Sequence, residues 1–178
     1  MRIIAGKYRS RRLESVPGQA TRPTADKIKG AVFSSLGPIS GRFLDCYAGT
    51  GNMALEALSR GMDHVVLVDR DRKAVRTIKK NIASLQAQDA CEVYQGDIFM
   101  ILPQLPAFDV VYIDPPYAKQ RNVELLAKLS DHVADKGRVV IESLPEDVLP
   151  ERCSGFVKYK EKTYRACKIT YYRKEGTE

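Results

Sequence analysis

From Phe43 to Glu142 the chain alternates short apolar runs with stretches whose apolar residues recur every three or four positions, and no other feature restricts its fold so strongly. Phe43 to Cys46, Val65 to Asp69, Cys91 to Tyr94, Phe108 to Ile113 and Arg138 to Glu142 read as strands. A short run without polar alternation is what a strand covered on both faces looks like. Between them, Asn52 to Arg60, Arg72 to Leu85, Ile98 to Leu102 and Val123 to Val133 read as helices, and Val75, Ile78, Ile82 and Leu85 form a core-facing stripe. This βαβ repetition calls for a parallel sheet with right-handed crossovers. The tail differs: Phe156 to Lys160 and Lys168 to Tyr172 follow each other without a helix between them, which predicts an antiparallel hairpin at one edge. Upstream, extended pieces at Arg2 to Lys7 and Arg11 to Val16 precede a Pro17-Gly18 break and a helix. Thr24 caps that helix behind Pro23, Ile28, Ala31, Val32 and Leu36 form its apolar face, and Gly37-Pro38 ends it. The 178 residues are therefore expected to form a single domain, with residues 1–38 as an N-terminal extension and 39–178 as the core.

Composition closes several alternatives. No apolar run approaches the length of a membrane span, and Met1 to Lys7 is too short and too quickly charged for a signal peptide, so a cytoplasmic location is expected. Cys46, Cys91, Cys153 and Cys167 have no paired spacing and only His64 and His132 beside them, which argues for reduced thiols and no metal. The formal charge of +7 suits an anionic partner. Its position is informative: in the first 30 residues, eight cations face only Glu14 and Asp26. Lys7, Arg9 and Arg22, with Tyr8 among them, offer phosphate contacts beside a stacking ring, the combination wanted for RNA; the competing reading is a solvated hairpin.

Two motifs carry chemistry. The strand Val110 to Ile113 stops at Asp114-Pro115-Pro116-Tyr117. Ligands of open parallel sheets bind beyond the carboxyl ends of such strands. Two prolines fix two φ angles and remove two backbone donors, so a carboxylate, a free carbonyl and an aromatic ring are presented from a stiff support. That set suits an exocyclic amine on a planar base, although the tetrapeptide alone also fits a rigid turn. The second motif runs from Phe43 through Asp45, Ala48, Gly49, Thr50 and Gly51 to Ala54, a strand entering Gly-x-Gly-x-x-Ala and then a helix, where backbone approaches a ligand closely. Asp69, closing the next strand, can take ribose hydroxyls, with Arg70 beside it. Asp97, followed by Ile98 after the third strand, can accept from an adenine amine. Asp45 can orient an ammonium group and would repel a pyrophosphate, so the order of carboxylates favours S-adenosylmethionine over a dinucleotide. Read singly, each aspartate also fits a turn or cap.

The segment Arg2 to Tyr8, Arg22-Pro23-Thr24, Leu44-Asp45 to Gly51, Leu55 to Gly61, and Asp114 to Tyr117 together resemble the bacterial small-subunit ribosomal RNA guanine-N2 methyltransferases, and the likeness spans nearly the whole chain. The resemblance implies a Rossmann-like class I methyltransferase fold: α/β, with a seven-stranded, mostly parallel sheet, an antiparallel C-terminal edge hairpin and a small N-terminal β-hairpin extension. It implies S-adenosylmethionine as donor and a guanine of 16S rRNA, in the small subunit or a late precursor, as acceptor; a monomer is expected. Gly49 to Ala54 reads Gly-Thr-Gly-Asn-Met-Ala and Asp69 replaces a usual glutamate, changes that keep the chemistry. Tyr164-Arg165 stands where tyrosine then glycine is expected, which bears on the RNA-facing edge.

On this reading Asp114 and the Pro115 carbonyl hold the acceptor amine and Tyr117 stacks on the base. Two other classes stay open: an N6-adenine or protein-glutamine methyltransferase using the same prolyl-prolyl-tyrosine device, and a non-catalytic RNA-binding assembly factor. The basic N-terminus favours the rRNA enzyme over the protein-directed one.

Overall fold

The computed structural model describes residues 1–18, 23–117 and 120–176, which fall into two units, Met1–Ile98 and Phe99–Glu178. In the first unit the apolar runs become strands because neither face is left for water. Phe43 and Leu44 of β1 (Arg42–Asp45) and Val65 to Val68 of β2 (His64–Asp69) are buried without interruption. With β3 (Cys91–Gln95) they lie in the order β3-β2-β1, all parallel. The register pairs Asp45 with Leu67 and Asp69 with Gln95, so the three carboxyl ends lie side by side.

Among the described residues, the longer helices of this unit are α1 (Pro23–Leu36), α2 (Asn52–Ser59) and α3 (Arg72–Ser84). α3 begins where the Asp71 side chain accepts from the Lys73 amide at 3.0 Å, and it buries Val75, Ile78 and Ile82 as its stripe requires. α1 starts at Pro23, so Thr24 lies inside the helix instead of capping it; proline's fixed φ suits a first helical position.

The N-terminal extension forms the expected antiparallel hairpin over a short stretch only. Its two pieces meet at a single antiparallel bridge, Arg2 with Arg12. Other backbone donors find partners elsewhere: Ile4 and Ala5 donate to the Glu56 carboxylate, Lys7 to the Ser59 carbonyl and Tyr8 to Ser59 Oγ. Across the arm itself the Ile3 amide donates to the Arg11 carbonyl, Ser10 to Ile3 and Leu13 to Met1, so part of the backbone pairs within the hairpin and part docks on the helix. Gly6, at φ +91°, is the point of closest approach, where a Cβ would collide with the Ser59 carbonyl.

In the second unit β4 (Phe108–Ile113) runs parallel to β5 (Val133–Ser143), and the order continues through β8 (Lys168–Lys174), β7 (Phe156–Thr163) and β6 (Arg152–Cys153), all antiparallel. β5 is longer than its sequence signal because Val133 already pairs with Phe108; the register then shifts and resumes at Arg138. The unit's helices are α4 (Ile98–Ile101), which starts at the last residue of the first unit, and α5 (Asn122–Lys128). α5 passes into a 3-10 turn at Leu129–His132 and buries Leu125, Leu126 and Leu129. β6 had no apolar signal and escapes the sequence. The other seven strands match the expected ones within a few residues, and the C-terminal hairpin is present.

Candidate active site

In the first unit, the carboxyl ends of β1, β2 and β3 carry the residues assigned to a cofactor. The chain leaves β1 through Asp45 and returns to the sheet edge as the Ala48 amide donates to the Val68 carbonyl at 2.8 Å. Gly51 sits at φ +85° immediately before α2, with Leu67, Leu55 and Ile78 packed around its α-carbon. A Cβ there would lie 3.2 Å from the Leu67 side chain, a tight fit, and the left-handed backbone disfavours any residue but glycine. Gly49 is different: a Cβ there would meet no atom within 4 Å. The turn thus keeps open room on its Gly49 side.

Asp69 holds this turn. One of its oxygens accepts from the Gly49 amide and the other from the Asp71 amide, both at 2.8 Å. Each oxygen retains a lone pair for a further donor such as a hydroxyl. The Gly96 amide donates to the Asp69 carbonyl at 2.9 Å, which ties the β3 exit, with half-buried Asp97 and buried Ile98, to the same end. Arg70 is exposed.

Burial pushes the Asp45 carboxyl up to about 7; the Tyr47 amide, 3.3 Å from Asp45 Oδ1, opposes the shift and the Asp69 charge adds to it. Asp69 is also raised, chiefly by burial. Neither has a lysine or arginine partner among the described residues. Two buried carboxyls, one raised by the charge of the other and neither with a cation, form a site short of positive charge, into which an ammonium and a sulfonium fit.

The second unit carries the other motif. Asp114 follows β4 and is half-buried, Pro115 is buried, and the Tyr117 side chain is 40% exposed. Around Asp114 lie two groups that sequence reasoning passed over. The Cys167 thiol is pushed up to about 12, by burial first and then by Glu142 and Asp114, and Glu142 accepts from the Tyr112 hydroxyl at 2.7 Å. Cys167 is therefore a neutral neighbour of the motif and no nucleophile. Its only signal was its place immediately before the last strand.

Of the residues assigned to RNA, Lys7, Tyr8 and Arg9 lie on the turn of the N-terminal arm, with Lys7 Nζ 5.0 Å from the centre of the Tyr8 ring. Arg22 lies outside the described residues. What fastens the arm was invisible in the sequence. Lys29 and Glu56 are both fully buried and pair at 3.2 Å. Lys29 Nζ donates to the Arg2 carbonyl and to Asn52 Oδ1, each at 2.7 Å, while Arg60 Nε meets Glu56 at 2.7 Å. Asn81, also buried, accepts from the Glu14 amide and donates to the carbonyls of Glu14 and Thr50. Both networks reach the glycine turn, one at Asn52 and the other at Thr50.

Comparison with known proteins finds relatives along nearly the whole chain. The family profile described as conserved hypothetical protein 95 matches residues 1–173. A Bacillus subtilis protein provisionally named an rRNA methyltransferase is 36% identical, over 99% of this chain and 100% of its own length. The ribosomal RNA small subunit methyltransferase D of Escherichia coli is 30% identical, over 99% of this chain and 91% of its own. A solved Escherichia coli structure, provisionally named a methyltransferase, superposes with a TM-score of 0.88 at 31% identity, covering 99% of both chains.

Proposed function

Because the chain belongs to the conserved hypothetical protein 95 family, which includes the small-subunit ribosomal RNA methyltransferases D, and has the class I methyltransferase fold, we propose that this rRNA methyltransferase acts on the exocyclic N2 of a guanine in 16S rRNA. S-adenosylmethionine, as the donor, supplies a methyl group on a sulfonium, an electrophile that needs no further activation. Asp69 takes the ribose hydroxyls, Asp97 the adenine amine, and Asp45 the ammonium, with Ala48, Gly49, Gly51, Arg70 and Ile98 around them.

The observation that carries the acceptor side is the half-buried carboxylate at the end of β4, followed by two prolines and a half-exposed ring. Guanine N2 is a poor nucleophile because its lone pair is delocalised into the ring. Asp114 and the Pro115 carbonyl accept the two N2 hydrogens, which orients the amine and weakens that delocalisation. With the donor bound, its methyl group would pass from sulfur to the N2 lone pair, and Asp114 would stabilise the charge developing on N2 and take the proton. Tyr117 stacks on the base after it leaves its helix or loop. A carboxylate suits guanine further because the ring N1–H is a second donor for it. Lys7, Tyr8, Arg9 and Arg22 engage the surrounding RNA.

The test is transfer of a radiolabelled methyl group to small subunits from a strain lacking the gene, with the modified nucleoside identified by mass spectrometry. N2-methylguanosine is the expected product. N6-methyladenosine or methylglutamine would replace the guanine reading, and absence of transfer would leave an assembly factor.

A further inference from the structure

Residues 156–174 hold seven lysines and arginines against one acid, Glu161. In this unit the cations divide into two sets by what they touch. Lys158 lies 3.3 Å from Glu151 and 3.1 Å from Glu161, Lys168 approaches Glu161 and donates to the Asp147 carbonyl, and Lys174 Nζ donates to the carbonyls of Ser130 and Val133. Those three are structural.

The remaining cations are exposed and lie against aromatic rings or at the hairpin tip. Arg173 stacks at 4.8 Å over Tyr159, Lys160 at 5.6 Å over Tyr171, and Lys162 at 5.2 Å over Tyr164, while Arg165 stands at the turn. Lys162, Arg165 and Arg173 have no carboxylate within ion-pair distance among the described residues.

The register explains the division. β7 and β8 pair Val157 with Arg173, Lys160 with Tyr171 and Lys162 with Ile169, which puts Lys160, Lys162, Tyr171 and Arg173 on one face. Lys158, Glu161 and Lys168 belong to the opposite face through the pairs Lys158 with Tyr172, Glu161 with Thr170 and Thr163 with Lys168. In a regular strand Lys158, Lys160 and Lys162 would share a face. The irregularity between Lys158 and Lys160 inserts one residue, Tyr159, and moves the later two lysines across. The tyrosines then hold the cation stems in place, which lowers the entropy lost when a cation engages an anion; Tyr171 is buried beneath Lys160, whereas the exposed Tyr159 leaves a ring edge for a base or sugar.

We propose that this face of the β7–β8 hairpin, through Lys160, Lys162, Arg165 and Arg173, is a second binding surface for the phosphate backbone of the RNA substrate, separate in sequence from the N-terminal arm. The assignment rests on the reading of the substrate as ribosomal RNA. Charge complementarity selects the occupant: exposed cations with adjacent rings fit a polyanion with planar bases.

The test is binding of fluorescently labelled 16S rRNA as a function of salt, without methyl transfer. The Lys160→Ala/Lys162→Ala/Arg173→Ala variant should lower the slope of log affinity against log salt by about two to three, since each lost phosphate contact is worth about 0.7–0.9. A charge-retaining set, Lys160→Arg/Lys162→Arg/Arg173→Lys, should keep the slope, and cofactor affinity by calorimetry should be unchanged in both. In methyl transfer the alanine variant should raise KM for RNA and keep kcat at saturation. If the triple variant does not fold, Lys162→Ala alone should lower the slope by about one. An unchanged slope overturns the surface. Wild-type protein that shows the slope difference against the alanine variant but methylates nothing would overturn the catalytic reading and leave this surface standing.

Discussion

Asp45 and Asp69 illustrate how two residues of one type are set to different tasks by what surrounds them. Asp69 has amide donors on both oxygens, and Asp45 has one long contact and full burial. An acid raised from 3.8 to about 7 keeps its proton in the folded chain where the unfolded chain has released it. Its contribution to stability is therefore complete below pH 3.8 and is lost as pH rises through about 7. A bound ammonium reverses the preference and favours the carboxylate. S-adenosylhomocysteine should accordingly bind with proton release near neutral pH, visible by calorimetry in buffers of different ionisation enthalpy, and Asp45→Asn should abolish the release. Asp69→Ala removes a charged acceptor worth about 1.5–3 kcal/mol and should weaken cofactor binding at least about tenfold. Asp114→Ala should act on rate: turnover should fall about 10²–10³-fold with cofactor affinity little changed. Tyr117→Ala should also weaken RNA engagement, by about 1–3 kcal/mol for a lost stack, whereas Tyr117→Phe should retain most activity; wild-type turnover in Asp114→Ala would reduce the motif to a structural turn.

Among the elements, α2 joins the glycine turn proposed to hold the cofactor to the N-terminal arm, since it begins at the one and carries the other on its side. Glu56 receives four donors, the amides of Ile4 and Ala5, Lys29 and Arg60, at full burial. Glu56→Ala would leave Lys29 with only the longer 3.7 Å contact to the part-exposed Asp26, a loss of up to about 3–5 kcal/mol, readable as a lower urea midpoint. Hydrogen exchange at the Ile4 and Ala5 amides should rise by more than the global loss of stability explains, because the arm detaches before the core opens. Replacing both partners, Lys29→Met with Glu56→Leu, should restore much of the stability without restoring protection at those two amides. The α-helices and the strands of the alternating region were legible beforehand, because each is written in a local period. The docking of the arm on α2 was not, because the Ile4, Ala5 and Tyr8 amides donate to residues more than 50 positions away.

For the whole molecule, charge is the quantity that reaches beyond local contacts. Counting along the chain finds an excess of six cations in the first 30 residues, nearly the full net charge of +7, and on that count the N-terminus is the basic patch. The excess in residues 156–174 is also six, balanced by an acidic middle. Replacing Lys7 and Arg9 together should reduce the salt slope of RNA binding by about two while sparing the cofactor site; an unchanged slope would make the arm a solvated face. The sequence by itself determined the alternating architecture, the glycine turn with its following carboxylates, and the strand ending at Asp114, because each depends on residues within a few positions of one another. Only the tertiary structure decided that Lys29, Glu56 and Asn81 are buried hubs and which cations are committed to internal partners. It also decided that one inserted residue at Tyr159 turns Lys160 and Lys162 to the face opposite Lys158. Those outcomes depend on strand register and on partners distant in sequence, and neither is encoded in any local period.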